Sequence, residues 1–168
     1  LSKDAAYAID QFALRGGRVL AFIDPLSETA PPSGPSGMPS MPTGPEVEAL
    51  LKAWGVAIDN SKLAGDPSMA RRVQFGGSPG GRPVVTDYLA WLQIDAKNIN
   101  IADPLAGGIE RLNMASVGFI TKVDGATTTL QPIIETSAAA GELNADSLRM
   151  MPNPLALSKD FKSGGKPL

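Results

Sequence analysis

RGGRVLAFIDP, residues 15–25, is the stretch on which the fold turns. Val19 to Ile23 is an unbroken apolar run between Arg18 and the dipeptide Asp24-Pro25. Unbroken rather than alternating hydrophobicity predicts a strand covered on both faces, as in a parallel sheet flanked by helices. Upstream, Ala5, Ala8, Ile9, Phe12 and Ala13 recur at the spacing of one helix face. Ser2 is placed as the N-cap, Asp4 sits near the positive end of the helix dipole, and Gly16-Gly17 stops the helix. Helix, glycine pair and buried strand together predict an α/β domain, layered about a mainly parallel central sheet.

Beyond Asp24 the pattern fails. Residues 25–45 hold seven prolines and almost no periodic hydrophobicity, which predicts an extended, solvated Pro/Ser/Met-rich loop over 25–44. Thr43 and Glu46 have the spacing of a capping box with Pro45 in the first turn. The helix they open places Val47, Leu50, Leu51 and Trp54 on one face and ends at Gly55. Residues 71–137 read as a β-rich extension. RRVQF (71–75) and RPVVT (82–86) flank a glycine-rich link as a hairpin does. DYLAWLQID (87–95) fits a turn of helix or a packed irregular segment. Strands are expected in 112–123 and 127–137 on either side of Asp124-Gly125, and again at SLRMM (147–151). A short turn begins at Asp103-Pro104, and Asn153-Pro154 opens a last helix.

Composition narrows the chemistry. At 168 residues and 43% hydrophobic content, one domain over 1–168 has enough apolar material for a core. Lys and Arg number 15 against 17 Asp and Glu, with no long run of either sign, so the chain lacks the basic footprint of a nucleic-acid binder. It contains neither cysteine nor histidine. That excludes Cys-His and Ser-His-Asp catalysis, Cys/His zinc sites and disulfides. No apolar run reaches the roughly 18–20 residues that span a bilayer. The chain opens at Leu1 with helical sequence at once, and reads as a piece of a longer protein whose membrane-associated segments lie outside it.

Asp24 is the sharpest candidate site residue, because ligands of doubly wound sheets bind beyond the carboxyl ends of the strands. The plainer reading is that Asp-Pro ends a strand. Asp66, Asp87 and Asp103 would join Asp24 in a hard-cation or acid/base cluster only if the fold brought them together. Each also stands beside a turn or cap signal. GGSPGGR (76–82) and KSGGK (162–166) are glycine-rich but lack the phosphate-loop pattern. Hydroxyls in ATTTL and ETSAAAG would need Lys122 or Lys159 nearby to act as nucleophiles. Met38 and Met41 have the character of an adaptable binding surface. Tyr88 and Trp91 could stack on a sugar, whereas Trp54 belongs to its helix stripe.

The phrases YAIDQFALRGGRVLAFIDP, EVEALLKAWGVAID, RRVQF, DYLAWLQID, ADPLAGGIERLNMASVGFI and TTLQPIIETS carry a resemblance over most of the chain. The chain resembles auxiliary components of uncharacterised ABC transport systems, the GldG-like family associated with bacterial gliding motility. The resemblance implies an extracytoplasmic, periplasm-facing region working with an ABC permease and ATPase, in contact with a substrate or cell-envelope component. It also implies a fold similar to flavodoxin-like or class I glutamine amidotransferase-like domains and to a domain of intraflagellar-transport proteins. The amidotransferase nucleophile and base are cysteine and histidine, which this chain lacks, so a non-enzymatic role without cofactor or metal is expected. The competing expectation is a carboxylate-based hydrolase or metal-dependent enzyme centred on Asp24.

Overall fold

A computed structural model of the chain describes residues 1–28, 44–76, 82–149 and 152–168. Two helices lead. Helix α1, Lys3–Leu14, is capped by Ser2, whose hydroxyl accepts from the Ala5 amide at 3.2 Å, and Gly16 takes the left-handed geometry, φ 87°, that turns the chain away. Helix α2, Pro45–Ala53, begins with proline at its first position, where no amide is needed. Its N-cap is Gly44, which makes no side-chain cap bond; the expected capping residue, Thr43, lies outside the described residues, as do Met38 and Met41. The two helices are tied by Trp54, which donates its indole N–H to Asp10 at 3.0 Å.

Among the described residues seven strands follow. They are β1 (Val56–Ile58), β2 (Lys62–Gly65), β3 (Ala70–Phe75), β4 (Val84–Asp95), β5 (Arg111–Ala115), β6 (Ile120–Lys122) and β7 (Gly141–Asn144). They form three small sheets, β1-β6, β2-β7 and β3-β4-β5, and every strand pair among the described residues is antiparallel. The expected flavodoxin-like or amidotransferase-like fold with a parallel central sheet is therefore wrong. The error traces to residues 19–23, which form no strand and pair with no described strand. Leu20 is 74% and Phe22 91% exposed, where a covered strand would bury both.

The centre is β4 instead. DYLAWLQID is the heart of a continuous strand, paired with β3 on one edge and β5 on the other, not a helix or irregular segment. Tyr88, Leu89 and Ala90 join one apolar core with Leu26, Leu63, Leu143 and Leu148. Leu92 and Ile94 join a second with Ala64, Met69, Ile99 and Ala106. Between the two, the register with β3 jumps: Arg71 faces Tyr88 but Ala70 faces Leu92, so Leu89, Ala90 and Trp91 bulge out of the ladder. Their carbonyls find other donors, Leu89 the Asp66 amide at 3.2 Å and Ala90 the Ser116 amide at 2.8 Å.

Two further expectations change, and one strand is new. Residues 127–137 contribute no strand, only the isolated bridge Ile99–Ile134. In SLRMM, Ser147 to Arg149 belong to the short helix α3, Asp146–Arg149, rather than to a strand. GELN forms β7, a strand that four residues with only Leu143 as a large apolar group do not announce. The last helix, α4 (Pro154–Asp160), starts as expected at Asn153, whose side chain accepts from the Leu155 and Ala156 amides at 3.1 and 3.2 Å. It packs on β4 through Leu157.

Candidate functional site

The bulge in β4 is where the chain that leads into the Pro-rich stretch comes down on the sheets. Pro25 is fully buried against Gly118, where a Cβ would come within 2.4 Å of the proline ring, so glycine leaves room for the contact. Leu26 enters the first core at 6% exposure. Glu28 then accepts two bonds with one carboxylate oxygen, from the Trp91 indole N–H at 2.9 Å and from the Ser116 hydroxyl. Ser116 is fully buried and has φ of 50°, an uncommon left-handed geometry for a residue with a Cβ. Its amide on Ala90 and its hydroxyl on Glu28 hold it there from both sides.

Trp91 and Tyr88 meet edge to face, ring centroids 5.3 Å apart. Tyr88 is 5% exposed, and burial first, then the Glu28 carboxylate, push its phenol up to about 12. The buried ring of Tyr88 offers no free stacking face of the kind a sugar site uses, and Trp91 is half-buried with its N–H committed to Glu28. Ser116 has an acidic neighbour but no exposed oxygen. The group is built as a fastening, not as a nucleophile with its base.

The carboxylates that could have joined Asp24 each have a separate role. Asp24 is exposed; it accepts from the Leu26 amide at 3.2 Å and its carboxyl is held above the usual range by desolvation, against the pull of that amide and with a small push from Glu28. Asp66 is fully buried and saturated by the Ser137 amide at 2.6 Å, the Ser137 hydroxyl at 3.0 Å and the Ser68 amide at 2.8 Å. Asp87 faces Arg72 at 3.8 Å on the surface, and Asp103 accepts from the Leu105 amide at 2.9 Å in a turn. Among the described residues no group of three acidic side chains is placed to hold a metal ion. Lys159 lies exposed on α4, while Lys122 stands at the edge of a cleft that the sequence did not reveal.

That cleft opens beside the second core and has a volume of about 590 Å³. Ala64, Leu92 and Ile94 form its floor, and Met114, Phe119 and Ile133 are among its half-buried walls. Lys122, Lys166 and Glu135 are its charged lining residues. Its walls come from β5, β6, the strandless stretch around Ile133 and the segment ending at Leu168, far apart in sequence, so no local motif marks them.

Compared with known families, residues 1–168 match the model of an ABC-type uncharacterized transport system, auxiliary component. The chain belongs to this family. It is thus an auxiliary component of an ABC-type transport system and is associated with that system's transporter components. No curated protein and no solved structure matches it. The family membership agrees with the resemblance to ABC auxiliary components that the phrases along most of the chain carry. Within this auxiliary component, Glu28 and Ser116 are the residues that sequence reasoning missed. Glu28 sits at the start of proline-rich sequence, and nothing around Ser116 signals a left-handed residue.

Proposed function

We propose that this auxiliary component is a non-catalytic binding module on the extracytoplasmic face of the membrane, holding a substrate or cell-envelope component beside the permease of its ABC system. The observation that carries the reading is the apolar cleft of about 590 Å³, within the size range of small-molecule sites and without a cluster of ionisable groups on its floor. Binding rather than turnover is what such a lining supports, because an apolar floor offers neither proton donor nor nucleophile. In bacteria that glide, the likeness to GldG-like proteins ties the same module to the motility machinery.

The absence of native cysteine makes the location directly testable. With Lys159→Cys placed on the exposed face of α4, we expect a membrane-impermeant maleimide to label the chain in cells with a permeabilised outer membrane and an intact inner one. Labelling only after the inner membrane is broken, or failure to co-purify with the permease and ATPase, would reject the proposal.

A further inference from the structure

The lining of the cleft specifies more than a generic ligand, and the inference drawn from it rests on the binding reading above. Its floor is aliphatic: Leu92 is 0%, Ile94 1% and Ala64 1% exposed. The hydroxyl of Thr136, the one buried polar side chain in the lining, is engaged with the Leu168 backbone, accepting from its amide at 2.7 Å and donating to its carbonyl at 3.4 Å. No buried side-chain nitrogen or oxygen among the described residues lacks a partner. A ligand group that reaches the floor of Ala64, Leu92 and Ile94 therefore meets aliphatic side chains, and an apolar group suits it. A sugar suits it less. The tryptophans do not line the cleft, whose only aromatic ring is Phe119.

The charged residues give the other end of the ligand. Lys122 and Lys166 both line the cleft and neither forms an ion pair among the described residues, against the single carboxylate of Glu135. Counted by side chains, two cations and one anion leave the lining at net +1, although the side chains of the whole sequence sum to -2. A positive rim above an aliphatic floor fits an anion with a hydrocarbon tail.

We propose that the cleft binds a single-tailed anionic amphiphile, a medium-chain carboxylate or alkyl phosphate. The tail lies on Leu92 and Ile94, and the head meets the ammonium groups of Lys122 and Lys166. Burial of the tail sets the affinity and the lysines choose the sign of the head.

Calorimetric titration of the purified chain with octanoate, decanoate and decyl phosphate, each below its micellar concentration, tests this against decyltrimethylammonium. Octanoate to decanoate should tighten binding about tenfold, as expected for two buried methylenes. The cationic analogue should bind at least about fivefold more weakly than decanoate, and Lys122→Gln combined with Lys166→Gln should remove that preference. Both substitutions are at exposed positions and leave the core untouched. Ile133→Trp, checked for folding by circular dichroism, should block the cleft and abolish binding of all four probes. No binding at millimolar concentration, equal binding of both head charges, or binding unaffected by Ile133→Trp would overturn the proposal. Membrane sidedness and co-purification do not depend on these residues, so a negative titration leaves the transport-module reading standing, and a cytoplasmic location would leave the titration intact.

Discussion

Two apolar runs of similar character meet opposite fates in this molecule. Val19–Ile23 has no polar interruption and stays largely open, with Leu20 and Phe22 facing out. Leu89–Ile94 contains a glutamine and a tryptophan and is the centre of the fold, with Leu92 fully buried. The difference is in the neighbours. The second run has a hydrogen-bonding strand on each edge and α4 packed against it, whereas the first pairs with no described strand. Hydrophobicity states a need for cover, and only topology supplies it. What fixes the first run lies just past its end, where Pro25 and Leu26 sink into the sheets and Glu28 ties to Trp91 and Ser116.

The comparison breaks most sharply at its two centres. Leu92→Ala should cost about 2–5 kcal/mol, since it removes a fully buried side chain from the second core. Phe22→Ala, at 91% exposure, should stay within about 0.5 kcal/mol. Urea unfolding of the two variants measures both, and equal losses would mean that the Val19–Ile23 run is covered in solution. Leu26→Ala comes next. At 6% exposure in the first core it should cost about 2 kcal/mol, a loss typical of the low end for such truncations, although it is only four residues from Phe22. A loss as small as that of Phe22→Ala would show that residues 25–28 do not anchor the first run.

A pH measurement sharpens the same anchor. The phenol of Tyr88 ionises near 10 in an unfolded chain and is pushed up to about 12 in the fold by burial and Glu28. The raised value favours the neutral form in the folded state. Its contribution is complete below pH 10 and is lost as pH climbs from 10 through 12. Tyr88→Phe should flatten the fall of stability across that window, followed by guanidinium unfolding at each pH. An unchanged slope would mean that the ring is open to water, and Trp91 with it.

The legible parts of the fold were those governed by local chemistry. Ser2 and Asn153 mark helix starts because a short polar side chain can satisfy amides at no distance in sequence. The β3–β4 hairpin follows from β-prone residues on both sides of a glycine-rich link. β4 beyond Asp87 was illegible because it crosses from one core to another through a bulge, which destroys the alternation that identifies a strand. The parallel sheet was inferred from one run whose burial depends on partners the run cannot encode. Of the site, Tyr88 and Trp91 stood out as aromatics in an apolar phrase. Glu28, Ser116 and the cleft walls did not, since they are joined only by contacts between residues such as Glu28 and Ser116, 88 positions apart.

Asp24 gives the smallest expected effect and the most discriminating one for function. Its carboxyl is raised chiefly by desolvation, with Glu28 adding to the shift and the Leu26 amide opposing it, so the folded chain disfavours its charge relative to the unfolded chain. A raised acid contributes stability below its unfolded value, 3.8, that is lost as pH rises through the folded one. At neutral pH the charge is therefore a slight burden, and Asp24→Asn, which keeps an oxygen for the Leu26 amide, should leave stability unchanged or raise it a little. The same substitution should not alter amphiphile binding, because Asp24 is outside the cleft lining. A ligand-binding carboxylate behaves differently: its amide loses affinity whatever happens to stability. Thermal unfolding and decanoate titration of Asp24→Asn at pH 7 separate these cases, and a clear loss in either would return Asp24 from the end of an exposed run to the centre of a site.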